Sequence, residues 1–175
     1  MFGYSSMHES LGDVTSRLAA TLRAAGAPAH VVAHSLGGII ALETLSAELE
    51  LPPGRFALLG VPVRGSRAAR AIAAWSIGPR ILGDIAVSEI AGARARGWNG
   101  AREIGLIAGS RSVGLGRLFA SLPQPNDGTI CVEETELAGA KARITLDVSH
   151  TGMLFSRSVA EAVARFLARG SFVAD

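Results

Sequence analysis

The chain has 175 residues, of which 49% are hydrophobic and 18% are charged, and this balance excludes an intrinsically disordered protein. The formal net charge of +2 is small, and the basic residues are scattered among acidic ones, which argues against a nucleic-acid partner. The one cysteine excludes an internal disulfide bond. A chain of this length is expected to form a single domain, residues 1–175, around a buried core.

Residues 1–9 have neither the basic nor the apolar region of a signal peptide. No run along the chain reaches the roughly 18 apolar residues of a membrane span, because Arg80, Asp84 and Glu89 interrupt the longest candidate. We therefore expect a cytoplasmic protein without a transmembrane segment.

The first predicted elements lie between residues 2 and 28. Phe2-Gly3-Tyr4-Ser5-Ser6 reads as the end of a strand that runs into a loop. From Ser10 onward, apolar residues recur at helical spacing, and Gly26-Ala27-Pro28 ends that helix. The inward positions of the helix are Leu11, Val14, Leu18 and Leu22.

The next stretch predicts a strand, a sharp turn and a helix around Ser35. Val31–Ala33 is a short apolar strand, His34–Gly38 is the turn, and the helix continues to about Leu49. This is the context in which a nucleophilic serine stands on a strained elbow, with its hydroxyl exposed above a sheet. The elbow requires small residues two positions before and after the serine, which Ala33 and Gly37 supply. The alternative is a glycine-rich turn with an incidental serine.

The rest of the chain continues the alternation of strands and helices that is typical of an α/β fold with a mainly parallel sheet and helices on both faces. The predicted strands are Arg55–Val61, Glu103–Ala108, the start of one at Thr129–Val132, and Ala142–Val148. The predicted helices are Arg67–Trp75 with Ser66 as its cap, a mixed helical or irregular stretch at Ile81–Ala95, and Ser156–Arg169. The loop at Gly109–Gly116 follows the third strand.

A base and an acid for Ser35 follow it in the chain. A serine hydroxyl needs a base to take its proton, and the base needs an acid to fix its tautomer. In elbow-type hydrolases the order is Ser, then Asp or Glu, then His, and Asp127 and His150 fit that order in loops after predicted strands. Asp147 is the alternative acid, although its place within a strand need not direct it at the imidazole. Asp84 is a third, weaker candidate.

The other three histidines fit the site less well. His34 precedes the nucleophile, so its side chain is expected to point away from the site and to serve packing or loop support. His30 and His8 are expected at the surface. The four histidines share no clustered spacing, so no metal site is predicted, and nothing in the sequence calls for a cofactor.

An oxyanion hole needs two hydrogen-bond donors. The backbone N–H of Leu36, directly after the nucleophile, would supply the first. The second normally comes from a loop upstream of the elbow, often with a His-Gly pair, and nothing before His30 has that character.

Four motifs in this order resemble the small bacterial lipases and esterases of the α/β-hydrolase superfamily. They are Ala-His-Ser-Leu-Gly-Gly, Gly-Val-Pro-Val-Arg-Gly-Ser, Pro-Asn-Asp-Gly-Thr-Ile and Ser-His-Thr-Gly-Met. The resemblance covers nearly the whole chain. It implies Ser35 as nucleophile, Asp127 as acid and His150 as base.

The resemblance also implies that the chain is a truncated α/β-hydrolase fold, because members of this group usually carry further amino-terminal strands. The strand Val31–Ala33 would then be an apolar sheet edge, which soluble proteins seldom leave open. We expect another copy of the chain, in a homo-oligomer, or a rearranged amino-terminal segment to cover it.

The sequence thus predicts a serine hydrolase acting on small-molecule carboxylic esters of short or medium acyl chains, with residues 67–100 as a small cap over the acyl group. The same three residues would serve a thioesterase or an acyltransferase. A catalytically impaired, hydrolase-like binding protein is the alternative from another class, because the upstream oxyanion loop is missing.

Overall fold

The structure, a computed structural model, describes residues 1–47, 50–91, 96–100, 102–114 and 121–173. Its strands are β1 (Val31–His34), β2 (Phe56–Leu59), β3 (Ile104–Gly109) and β4 (Ala142–Leu146). Its helices are α1 (Leu11–Ala25), α2 (Leu36–Ala47), α3 (Arg67–Ala73), α4 (Gly78–Leu82), α5 (Asp84–Ala86), which runs into a π-helical turn at Val87–Ala91, and α6 (Arg157–Arg169). Short 3₁₀ turns lie at Val132–Thr135 and Thr151–Phe155.

The four strands form one parallel sheet in the order β1-β2-β3-β4. All residues of β2 and β3 are buried, which explains why these strands are continuous apolar runs rather than alternating ones. One face packs against α1 and α2, and the other against α6. The predicted α/β fold with a parallel sheet and helices on both faces is therefore confirmed.

Side-chain caps define where the two outer helices begin. Ser10 accepts a hydrogen bond from the Asp13 N–H at 3.1 Å and starts α1. Ser156 accepts one from the Val159 N–H at 3.4 Å and starts α6. Val14 and Phe166, fully buried, place these helices on opposite faces of the sheet.

Two predicted strand segments are not strands. Residues 2–6 form coil and turn, in which Phe2 and Tyr4 pack against the same core cluster as α1 and α2. Residues 129–132 bend instead of extending, because the Asp127 carboxylate accepts the N–H groups of Thr129 and Ile130 and closes a turn there. Parts of three predicted elements lie outside the described residues. These are the predicted end of α2 at residue 49, residues 92–95 of the stretch 81–95, and residues 115–116 of the loop 109–116.

Among the described residues, β1 lies at an edge of the sheet, as the resemblance implied for Val31–Ala33. In the described part of the chain it pairs with β2 alone, and half of the Val32 side chain (51%) is exposed. In the amino-terminal segment, the Gly3 carbonyl accepts a hydrogen bond from Arg17 of α1. No helix among the described residues is long and apolar enough to span a bilayer.

Candidate active site

Ser35 occupies the sharp turn between β1 and α2. It is the one described non-glycine residue with a positive φ, 52°, a left-handed conformation that costs energy in any residue with a Cβ. Its N–H donates to the Leu59 carbonyl at 3.0 Å, so the last hydrogen bond between β1 and β2 holds it in place. Strained backbone of this kind clusters at functional sites.

The crowding around the elbow lies one residue later than predicted. A Cβ on Gly37 would meet the Tyr4 hydroxyl at 3.8 Å, an ordinary contact. A Cβ on Gly38 would instead overlap the Val61 side chain. The second glycine of the pair is therefore the one that lets α2 lie against the chain that leaves β2.

His150 follows β4 and lies over Ser35. Its Nε2 is 3.1 Å from the Ser35 Oγ, and its Nδ1 is 2.8 Å from the Asp127 Oδ2. Since an ionised carboxylate only accepts hydrogen bonds, Nδ1 carries the proton, and Nε2 is left to accept from the serine hydroxyl. The His150 N–H also donates to the Asp127 carbonyl at 2.9 Å, so backbone and side chain of these two residues are both joined.

Asp127 is held rigidly for this contact. Only 1% of the residue is exposed, and its second carboxylate oxygen accepts the N–H groups of Thr129 at 2.9 Å and Ile130 at 2.7 Å. Asn126, also buried, accepts from the Ser112 hydroxyl at 2.6 Å and ties the preceding loop together. The sequence analysis missed Asn126, whose position in an Asn-Asp-Gly turn indicated only a turn former.

Asp147 lies away from the imidazole. Its carboxylate pairs with the Arg111 guanidinium at 2.7 Å, and 73% of its side chain is exposed. The hydrogen bond from Arg111 lowers the pKa of Asp147. Asp84 is exposed at the start of α5. The structure therefore brings Asp127, and not these two, to His150.

His34 contradicts the expectation that its side chain points away from the site. Its Nε2 is 3.0 Å from the His150 carbonyl oxygen, and the two imidazole rings lie 4.5 Å apart, centre to centre. Burial lowers the pKa of His34 to about 4, and the nearby charge of His150 adds to this effect. The expectation was wrong because it considered only that neighbouring residues at the elbow point in opposite directions. It left out the loop of His150, which folds over the end of β1.

Gly60, at the end of β2, is a further residue that the sequence analysis did not single out for the site. Its φ is 54°, and a Cβ there would stand 3.0 Å from the His150 Nδ1 and 3.2 Å from the Asp127 Oδ2. The missing side chain therefore leaves room for the imidazole–carboxylate pair. A glycine directly after a buried strand was the signal that could have identified it.

We expect Gly60→Ala to weaken both the fold and the site. The left-handed conformation alone costs an alanine about 1–2 kcal/mol, and the new methyl group would push His150 and Asp127 apart. Thermal unfolding should move to lower temperature, and any activity of the site should fall with it. Gly12→Ala is the matched control, since a Cβ there meets only the Ser10 Oγ at 3.8 Å. An unchanged melting temperature in Gly60→Ala would contradict this assignment.

The start of α2 adds a hydrogen-bond donor beside the serine. Leu36 is the first residue of α2, and the N–H groups of a helix's first turn have no acceptor within the helix. The positive end of the helix dipole lies at the same place and favours negative charge there. This is the position that the sequence analysis assigned to an oxyanion donor.

A cavity of about 670 Å³ lies at the other end of the sheet, beside the residues that precede β1, β2 and β3. Its charged lining is already bonded, because Arg102 donates to the carbonyls of Leu51 and Pro52, and Arg55 pairs with Glu103. We assign no role to this cavity.

No protein-family model matches the chain, and no curated protein matches it in sequence. Two similar solved structures are those of the lipase BlEst2 from Bacillus licheniformis. Its mature form has a TM-score of 0.68 at 20% identity, over 91% of this chain and 74% of that one. Its propeptide form has a TM-score of 0.65 at 22% identity, over 82% of this chain and 37% of that one. The chain therefore has a lipase-like α/β fold.

Proposed function

We propose that the protein is a serine hydrolase that cleaves carboxylic esters of short or medium acyl chains. One observation carries the proposal: the Ser35 hydroxyl, the His150 imidazole and the Asp127 carboxylate are joined by hydrogen bonds of 3.1 and 2.8 Å in the order that nucleophilic catalysis requires. The strained elbow under Ser35 and the likeness of the fold to that of a lipase support it.

In the proposed first half-reaction, His150 acts as the base. As the Ser35 Oγ attacks the ester carbonyl carbon, its proton moves to the His150 Nε2, and the Asp127 carboxylate stabilises the imidazolium that forms. The carbonyl π electrons move onto oxygen, where the Leu36 N–H donates to the developing negative charge. The carbon–oxygen bond to the alcohol then breaks, and the alcohol leaves with the proton from His150.

In the second half-reaction, water replaces the alcohol. His150 takes a proton from the water, whose oxygen attacks the acyl-Ser35 carbonyl. The bond to the Ser35 Oγ breaks, the Oγ recovers the proton, and the carboxylic acid leaves. No redox partner or cofactor enters these steps.

We place the acyl group beneath the segment of residues 67–100. In its described part, this segment forms three short helices between β2 and β3, and about half of the Trp75 and Ile77 side chains is exposed on it. Apolar side chains held at a surface suit the chain of an acyl group.

Turnover of p-nitrophenyl esters by the purified protein tests the proposal. We expect hydrolysis of the acetate and the butyrate that disappears with Ser35→Ala. Faster transfer from acyl thioesters, or to an added alcohol, would favour the thioesterase or the acyltransferase. A wild-type protein as inactive as Ser35→Ala would favour the impaired binding protein. The second oxyanion donor is unassigned, and its lack would explain the inactivity.

We also propose that a second copy of the chain covers the edge strand. The N–H groups of Val31 and Ser35 donate to Arg55 and Leu59, so the alternate backbone groups, those of Val32 and His34, point away from β2. An open edge of this kind is a template for another strand, and β1 beside the partner's β1 would form a closed, two-fold pair.

Light scattering on the eluted protein tests the pairing. We expect a dimer for the wild type and a monomer for Val32→Lys, because a charge at the strand centre opposes edge pairing. Val173→Lys, at an exposed valine beyond α6, is the matched control and should stay dimeric. A wild-type monomer at all concentrations would contradict the pairing.

A further inference from the structure

His34 joins the end of β1 to the loop that carries His150. The two residues are 116 positions apart in the chain, yet the His34 Nε2 is 3.0 Å from the His150 carbonyl oxygen. Because a carbonyl oxygen only accepts, the His34 Nε2 carries the proton and donates it. The side chain is therefore fixed in one tautomer by the backbone of the residue that it supports.

Contacts from three sides hold His150. The His150 N–H donates to the Asp127 carbonyl at 2.9 Å, and its Nδ1–H donates to the Asp127 carboxylate at 2.8 Å. Its carbonyl accepts from His34, whose ring also lies 4.5 Å from the imidazole at an interplanar angle of 45°. Without His34, the carbonyl would lack this donor, and one side of the imidazole would lack its neighbour.

We propose that His34 is a positioning residue that holds the backbone and the ring of His150 in place over Ser35. This inference rests on the proposed function for its effect on catalysis, although the contact itself does not. His34 touches neither the serine hydroxyl nor the carboxylate in a hydrogen bond that the structure gives, so it acts through His150 alone.

The neutral state of His34 suits this task. Its pKa lies at about 4, first because the ring is buried and next because of the charge of His150; the hydrogen bond to His150 and the charge of Asp127 act in the opposite direction. Near neutral pH, His34 is therefore uncharged when His150 takes the serine proton. A cation at this distance would oppose the imidazolium that forms.

Three variants test the proposal. His34→Leu keeps bulk but removes the donor, His34→Gln keeps an N–H donor on a side chain of similar reach, and His30→Leu removes a histidine at the other end of β1. His30 is a matched control because its ring also bonds to backbone, the Arg55 N–H at 3.0 Å, far from the site.

We expect His34→Leu to lower kcat about 10- to 100-fold, the scale of a misplaced catalytic group, with KM unchanged. His34→Gln should recover most of this loss, and His30→Leu should leave kcat unchanged. Equal kcat values for the wild type and His34→Leu would overturn the proposal. An equal loss in His34→Leu and His34→Gln would also overturn it, because the donor would then not matter.

A proton NMR readout separates this proposal from the proposed function. The His150 Nδ1 proton, bonded to Asp127, should give a low-field resonance that is absent from His150→Gln. We expect His34→Leu to shift or broaden that resonance and His30→Leu to leave it unchanged. If the wild type cleaves no ester, the proposed function fails, and this resonance still decides whether His34 positions His150.

Acid stability gives a second readout that needs no substrate. The pKa of His34 falls from 6.5 to about 4 on folding, so the unfolded chain binds more protons at this residue between those values. Its contribution to stability is thus present above pH 6.5 and is lost as the pH falls towards 4. We expect His34→Gln to lose less stability than the wild type over this range, and an identical pH dependence would show that His34 is not buried as described.

Discussion

Replacing Ser35 with alanine is expected to reduce ester hydrolysis to the small residual rate that substrate binding and the oxyanion donor alone sustain. The change removes the hydroxyl oxygen that lies 3.1 Å from the His150 Nε2, so no acyl-enzyme can form on it. Losing the nucleophile of a hydrolase of this kind costs about a million-fold in kcat, far more than any change of fold stability would explain. Rates with p-nitrophenyl butyrate, measured against a protein-free blank, provide the test.

The control for this change is Ser16→Ala, at an exposed position of α1. It should hydrolyse the ester at the wild-type rate. Ser35→Ala itself should melt at or above the wild-type temperature, because the change removes only the reactive hydroxyl group and leaves the fold intact. Residual activity of Ser35→Ala near that of the wild type would mean that another residue is the nucleophile.

Replacing Asp127 with asparagine is expected to have the second largest effect, a loss of about 10⁴-fold in kcat. The asparagine amide can donate to the His150 Nδ1, which would favour the tautomer with its proton on Nε2, where the serine proton has to go. Burial makes the change more severe, since only 1% of Asp127 is exposed to water that could compensate. Steady-state kinetics with the same ester measure this loss.

Asp147→Asn distinguishes the two candidate acids. Asp147 forms an exposed pair with Arg111, and pairs of this kind contribute little to stability or to a distant site. Its kinetics should match those of the wild type. The opposite result, a large loss with Asp147→Asn and a small one with Asp127→Asn, would reverse the assignment of the acid.

Residues close together in the sequence accounted for most of what could be predicted. The elbow around Ser35 is a local pattern, since a strand, a serine between small residues and a helix follow one another directly. The buried strands β2 and β3 were predictable for the same reason, because continuous apolar runs indicate strands that are covered on both faces. The fold class follows from the alternation of such runs with helical spacing.

Contacts between distant parts of the chain accounted for what could not be predicted. Chain order and loop placement favoured Asp127 over Asp147 as the acid, but no local pattern shows which loop reaches His150. The contact of His34 with a residue 116 positions later is of the same kind. The strand predicted at Thr129 failed because a side chain, the Asp127 carboxylate, took backbone N–H groups that a strand would have needed.

Covalent labelling of the wild-type protein with a fluorophosphonate, followed by peptide mass spectrometry, tests the central claim most directly. The reagent phosphonylates a serine oxygen only where a base removes its proton, so the test reports the nucleophile together with its base. We predict one adduct, on Ser35, which is lost in His150→Gln and is formed at the wild-type rate in Asp147→Asn. A protein that cleaves esters but carries the adduct on another residue, or that labels Ser35 equally well without His150, would contradict the proposed site.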